Sequence, residues 1–165
     1  MSIEIIKPPN RGQAKTKVSV FLAGSIEMGK AEDWQKELEN TLTDFQVTVF
    51  NPRADSWDNN RIQRESDCGF NEQVNWELDR LDESDIIFMY LSPGTTSPIS
   101  LLELGLYADS NKMLVCCPVD FYRRGNVEIV CSRHNIPIFD NLEESKASLI
   151  SKLKLKLKLN NDRTL

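Results

Sequence analysis

Apolar residues follow two rhythms along this chain, and the rhythms alternate. Short, nearly continuous apolar runs bounded by turn-forming residues read as buried strands. They are "KVSVFLAGSI" (17–26), "QVTVFNP" (46–52, stopped by Pro52), "DIIFMYLS" (85–92), "MLVCCPV" (113–119) and a short "IPIF" (136–139). Between them the apolar positions recur at helical spacing. Trp34, Leu38 and Leu42 share one face of "KAEDWQKELENTLTDF", and Val74, Leu78 and Leu81 share one face of "NEQVNWELDRLDES". "PISLLELGLYADSNK" (98–112) and the closing "LEESKASLISKLKLKLKL" (142–159) read as helices, and "NVEIVCSRHN" (126–135) as helix or turn. Asp85, at the mouth of an apolar strand, reads as a residue that caps or turns the chain.

Strands alternating with helices predict an α/β fold, a parallel sheet covered on both faces. Ligands in such sheets bind beyond the carboxyl ends of the strands. Three segments meet there: "GSIE" after the first strand, "NPRADSWD" after the second and "SPGTTSPISLLE" after the third. The polar loop "RADSWDNNRIQRESDCGF" is too long for a simple connector, and such loops tend to carry function. The 165 residues are read as one domain, with 1–16 a flexible N-terminal extension and 152–165 an amphipathic tail. In that tail "KLKLKLKL" has the period of a strand but the composition of a helix. The expectation is an end that packs its leucines and solvates its lysines.

Composition narrows the function classes. With 40% hydrophobic and 27% charged residues, the chain has the make-up of a soluble globular protein. A net charge of −5 argues against a nucleic-acid polymer as partner. No apolar run approaches the roughly 20 residues that span a bilayer, and the N-terminus lacks the features of a signal peptide, so neither membrane nor export is expected. Cys68, Cys116, Cys117 and Cys131 form no C-x-x-C pair. They read as reduced thiols of a cytoplasmic protein, without zinc. The lone His134 leaves carboxylates as the candidate reagents, and no cofactor or metal is expected.

Four places stand out. In "LAGSI", Gly24 permits close backbone approach and the turn through Ser25 and Ile26 offers N–H groups to an anion or a sugar hydroxyl; a plain strand-to-helix turn explains the motif equally well. In "NPRADSWDNN", Asn51, Arg53 and Asp55 offer polar groups, and Trp57 a face for a base or sugar, set against a solvated loop anchored by one tryptophan. Glu77 follows Trp76 on a helix, where a surface charge is the ordinary reading. Glu103 stands among Leu101, Leu102 and Leu104, in the early turns of a helix starting near Pro98. There it is either a helix-end charge or a nucleophile facing "GSI" across the sheet edge, with Gly105 letting the helix approach the sheet.

"FLAGSI", "NPRADSWD" and "FNEQVNWELDRLDESDIIFMYLSPGTTSPISLLELGLYA" together resemble the nucleoside 2-deoxyribosyltransferase-like family, over roughly Lys17 to Val119. The closest likeness is to its small branch with "NPR…W" and "QV-WE" segments. The resemblance implies a flavodoxin-like Rossmann sandwich with five parallel strands. It implies cleavage or transfer of the N-glycosidic bond of a (deoxy)nucleoside or its 5′-monophosphate, without a metal. The family's nucleophilic glutamate corresponds to Glu103, and its second carboxylate to Glu77. Gly24 and Ser25 correspond to the turn that lines the sugar or phosphate pocket. Where well-studied transferases carry a sugar-binding aspartate, this chain has Ser97, with Ser100 nearer Glu103; serines there suit the family's nucleotide hydrolases. The tyrosine of some relatives' first strand is absent, Val20 and Phe21 standing in that region. Family members are homodimers or larger. Two other readings stay open: a nucleoside-monophosphate phosphoribohydrolase-like enzyme, echoed by "PGTTSPISLLE", and a non-catalytic nucleotide-binding or sensing module on the same fold.

Overall fold

Both rhythms become the elements they predict. A computed structural model describes residues 3–27, 31–54 and 61–162. The strands are β1 (Glu4–Ile6), β2 (Ser19–Gly24), β3 (Thr48–Phe50), β4 (Ile86–Tyr90), β5 (Met113–Cys116) and β6 (Ile138–Phe139). The helices are α1 (Trp34–Thr41), α2 (Cys68–Glu83), α3 (Pro98–Tyr107), α4 (Arg124–Arg133) and α5 (Leu142–Asp162). A short 3-10 turn, Ala108–Ser110, follows α3.

All strand pairs are parallel, in the order β1-β3-β2-β4-β5-β6. Without β1 this is the flavodoxin-like order, whose direction of winding reverses between β2 and β4. The sheet has six strands where five were expected. The extra one, β1, lies inside the segment read as a flexible extension and pairs with β3, Glu4 opposite Thr48. Three residues carry too little period to announce a strand. Its register is fixed instead by distant groups: the Glu4 carboxylate accepts from Thr48 Oγ1 at 2.8 Å and from Lys15 N at 3.0 Å.

The strands read as unbroken apolar runs because helices cover both faces. Val18, Val20, Leu22, Ile86 and Phe88 pack with Trp34 and Leu38 of α1, with Leu42 just after it, and with Leu149 and Leu153 of α5. The alternate residues Phe21, Ala23, Ile87, Met89 and Val115 pack under α2, α3 and α4, against Trp76, Leu81, Leu104 and Val127. Asp85 fastens β4 to β2, its Oδ2 accepting from Ser19 N at 2.8 Å and Ser19 Oγ at 3.2 Å.

The closing helix runs unbroken through the Lys/Leu repeat, so helix composition overrides strand period. At about 100° per residue, a two-residue alternation spreads over both sides of a helix. Leu153 is buried and Leu157 partly so, four residues apart; Leu155 and Leu159 are 59% and 50% exposed. Half of the repeat's leucines therefore do not pack, contrary to the expectation. Among the described residues, no helix is long and apolar enough to cross a membrane.

Candidate active site

The point where the winding reverses is built from β2, β4 and the start of α3. Gly24 ends β2 at φ +134°, and a β-carbon there would lie 2.1 Å from the Tyr90 carbonyl oxygen. The close approach that requires glycine is thus to the neighbouring strand, sealed by Ser25 N donating to Tyr90 O at 2.9 Å. Ser25 is buried, and its backbone carbonyl accepts from Trp34 Nε1 at 2.9 Å. Its hydroxyl accepts from Ser92 N at 2.8 Å and meets Ser97 Oγ at 2.6 Å and Thr95 Oγ1 at 2.9 Å. Ile26 is half-buried, and its carbonyl accepts from Ala31 N at 3.2 Å. Three hydroxyls from two strand ends form one satisfied cluster, as buried polar groups require.

Helix α3 starts with Ser97 as N-cap and Pro98 behind it, as Pro at a first helical position favours. Ser97 has φ +43°, and its hydroxyl points into the cluster instead of capping its own helix. The turn just before the helix is held by Glu27, itself at φ +48°: its Oε1 accepts from Thr96 N and from Ser97 N, both at 2.9 Å.

Glu103 lies in the second turn of α3, with Ser100 one turn earlier on the same face; both are buried. Glu77 reaches the same space from the middle of α2. Gln73, one turn before it, donates to Glu77 Oε1 at 2.6 Å and reaches Pro52 O of the "NPR" segment at 3.5 Å. Among the described residues, no group donates a hydrogen bond to Glu103, and no basic side chain pairs with either acid. Burial pushes the Glu77 carboxyl up to about 7, against the opposing hydrogen bond from Gln73. Burial pushes Glu103 up to about 8, and the neighbouring Glu77 charge adds to it. The effect of the Glu77 charge on Glu103 places the two carboxyls near each other. One turn beyond Glu103, Tyr107 closes the gap between α3 and α2, donating to Asp82 Oδ1 at 2.8 Å.

The other expected residues are placed as follows. Asn51 is buried, with Nδ2 donating to Glu39 Oε1 at 2.7 Å and Oδ1 accepting from Arg53 N at 2.9 Å. Arg53 clamps the approach to α1, donating to Ala31 O at 2.9 Å and Glu32 O at 3.1 Å. Asp55 and Trp57 lie outside the described residues. Gly105 is not a close-packing glycine: a β-carbon on it would touch nothing within 4 Å. It lines a groove of about 300 Å³ between α3 and α4, with Leu101, Leu104 and Tyr122.

Sequence reasoning missed Gln73, Glu27 and Thr95. Gln73 stands four residues before Glu77, a helical spacing that signals contact. Glu27 and Thr95 were inside the quoted turns but have no spacing signal, because their partners lie far along the chain. The arrangement supplies two neighbouring carboxyls, Glu103 buried and Glu77 half-buried, both with raised proton affinity, and a hydroxyl cluster at the start of the helix that carries Glu103. It suits proton transfer and nucleophilic attack at an electrophilic carbon. Among the described residues, no cluster of His, Cys, Asp and Glu suits a metal ion.

A family model described as "Nucleoside 2-deoxyribosyltransferase like" matches residues 17–121. No curated protein matches the chain.

Proposed function

The chain belongs to the nucleoside 2-deoxyribosyltransferase-like family, and on that premise we propose that it cleaves or transfers the N-glycosidic bond of a nucleoside, with Glu103 as nucleophile and Glu77 as acid and base. The observation that carries this reading is the pair of carboxyls on facing helices, Glu103 buried and Glu77 half-buried, with no cation beside them among the described residues. Surface charges at these positions would be solvated and ordinary. Here burial costs stability and tunes both groups to neutral pH, which marks functional sites.

The chemistry follows from the proton count. With one proton on the pair, Glu103 has the higher proton affinity, and the reactive form is the less populated one in which Glu77 holds the proton and Glu103 is the anion. The Glu103 carboxylate attacks C1′ and forms a glycosyl ester. The C1′–N bond breaks with its electron pair going to the base, which takes the proton from Glu77. Water or a second base then attacks C1′, Glu77 takes the incoming proton, and the ester bond returns its electrons to Glu103. Both oxygens of Glu103 are without a described donor, so the carboxylate enters the reaction uncommitted. The hydroxyl cluster of Ser25, Thr95 and Ser97 borders the site as the wall nearest the strand ends, with Ser100 between it and Glu103.

The whole chain acts as one domain in this proposal, since β1 completes the sheet and α5 completes its second covered face. Three buried free cysteines fit the reducing cytoplasm. A homodimer or larger assembly is supported by Ile99, Leu102 and Leu106 along the outer side of α3, each more than half exposed. A self-complementary apolar stripe of this kind suits an isologous contact between two copies.

Base release read by chromatography tests the reading. Deoxynucleosides, ribonucleosides and their 5′-monophosphates are incubated with the protein, with and without a second free base, beside Glu103→Ala. Release that vanishes in the variant is expected; exchange only with added base marks a transferase. Binding without any release, in the native chain, overturns the catalytic reading in favour of a sensing module.

A further inference from the structure

The outer side of the Lys/Leu repeat in α5 serves neither the core nor the candidate site. Leu153 and Leu157 face the sheet. Leu155 and Leu159, about 160° away around the helix axis, face outward and are 59% and 50% exposed. Lys154 and Lys158 flank that outer stripe at about 100° on one side, and Lys152 and Lys156 at about 60° on the other. An apolar line therefore runs between two rows of cations. The end of the helix is fastened without Leu155 or Leu159. Lys152 Nζ donates to Lys112 O at 3.4 Å and Asn160 Nδ2 to Lys17 O at 3.0 Å, in the segments that lead into β5 and β2.

Charge is segregated on the same stretch. Residues 152–160 hold four of the 20 basic side chains and none of the 25 acidic ones, in a chain of net charge −5. Earlier on the helix, Lys146 is paired with Glu37 at 2.6 Å and with Glu143. Among the described residues, no carboxylate pairs with Lys154 or Lys156. Burial, and then the Lys156 charge, push Lys152 below its ordinary value. The fold thus gathers cations here and leaves their repulsion unrelieved.

The cations decide what suits the stripe. A second copy of the chain would set lysine rows against lysine rows. A folded acidic partner needs roughly 800 Å² of matched surface on each side, and two leucines between long flexible side chains offer it no pocket. A lipid surface needs no matching shape. Leucines enter the boundary between headgroups and acyl chains, while lysines lay their stems along it and reach the headgroup phosphates. Such a helix lies in the plane of the interface and needs no spanning segment. From this geometry we propose that the outer side of α5, through Leu155, Leu159 and their flanking lysines, docks the protein on a bilayer rich in anionic phospholipid, the character of a cytoplasmic leaflet. Because α5 and α1 cover one face of the sheet and α2 and α3 the other, docking leaves Glu77 and Glu103 on the side away from the lipid. The proposal is independent of the glycosidic reading.

The experiment sediments the full chain with vesicles of phosphatidylcholine alone and with vesicles of equal parts phosphatidylcholine and phosphatidylserine, at low and high salt. The anionic vesicles should bind about tenfold more tightly or better, and high salt should erase the preference. Lys154→Gln combined with Lys158→Gln should weaken anionic binding about thirtyfold. Leu155→Gln combined with Leu159→Gln should weaken it about tenfold. All four side chains are exposed, so both variants should unfold in denaturant at the native midpoint. No binding to anionic vesicles at low salt overturns the proposal, as does equal binding to both compositions. Unchanged affinity in the leucine variant also overturns it, since charge alone would then hold the protein. Retention on immobilised poly-glutamate without vesicle binding overturns the lipid and assigns the face to an acidic polypeptide.

Discussion

Two polar regions lie within one helix of each other and have opposite characters. At the strand ends, Ser25, Ser92, Thr95 and Ser97 exchange short hydrogen bonds among themselves and with the backbone. Between α2 and α3, Glu77 has one partner in Gln73, and Glu103 has none among the described residues. The first region is what folding favours: buried polar groups, each satisfied. The second is what folding resists, since desolvation raises the proton affinity of both acids, the Glu77 charge adds to that of Glu103, and ionising them costs stability. The conflict is where the proposed chemistry is placed, and the resolved network a few residues away is its frame.

Substitutions break this comparison in different ways. The largest effect falls on turnover: Glu103→Gln should lower base release by about a thousandfold or more, because it removes the proposed nucleophile and leaves the frame intact. The frame fails hardest at Gly24. Gly24→Ala drives a methyl against the Tyr90 carbonyl and asks a left-handed backbone of alanine, for a loss of about 3–5 kcal/mol in denaturant unfolding. Ser25→Ala leaves the buried Ser92 N–H without its acceptor and should cost about 1–3 kcal/mol by the same measurement.

The acids should behave in reverse. Glu103 folds with its carboxyl raised from an ordinary 4.5 to about 8, so the folded state holds that proton more tightly than the unfolded chain. The stabilising share is complete below about 4.5 and is lost as pH rises through 8. Glu103→Gln, neutral throughout, should therefore match the native chain at pH 5 and exceed it at pH 9, by about 1–3 kcal/mol after allowance for solvent screening. A pH–rate profile sharpens the same point: activity needs one proton on the pair and should peak between limbs near 7 and 8. Glu77→Gln removes the second proton site and the charge that raises Glu103, and should abolish the alkaline limb while reducing the rate.

The two regions also differ in how far the sequence announces them. Glu103 and Glu77 are visible as residues, because a carboxylate among leucines and a Trp-Glu pair on an amphipathic helix are local patterns. Their coupling is not, since it depends on α2 and α3 packing side by side on one face of the sheet. The hydroxyl cluster joins Ser25 to Ser97 across 72 positions and Glu27 to Ser97 across 70, distances over which no periodicity reports. The five strands from β2 to β6 are legible because both faces are covered and their runs are continuous. The edge strand β1 escapes notice because three residues, "EII", show no rhythm of their own. The Lys/Leu tail misleads in a definite way: its period belongs to a strand, its residues to a helix, and the helix leaves Leu155 and Leu159 outside.

The central claim is a covalent one, that the sugar passes through an ester on Glu103. Acid-quenched protein taken during turnover of a deoxynucleoside should show, by intact mass spectrometry, one added deoxyribosyl group. Peptide mapping should place it on the segment containing Glu103, and Glu103→Gln should show none. Sustained base release with no adduct in the native chain, or an adduct mapped to another residue, would contradict the account.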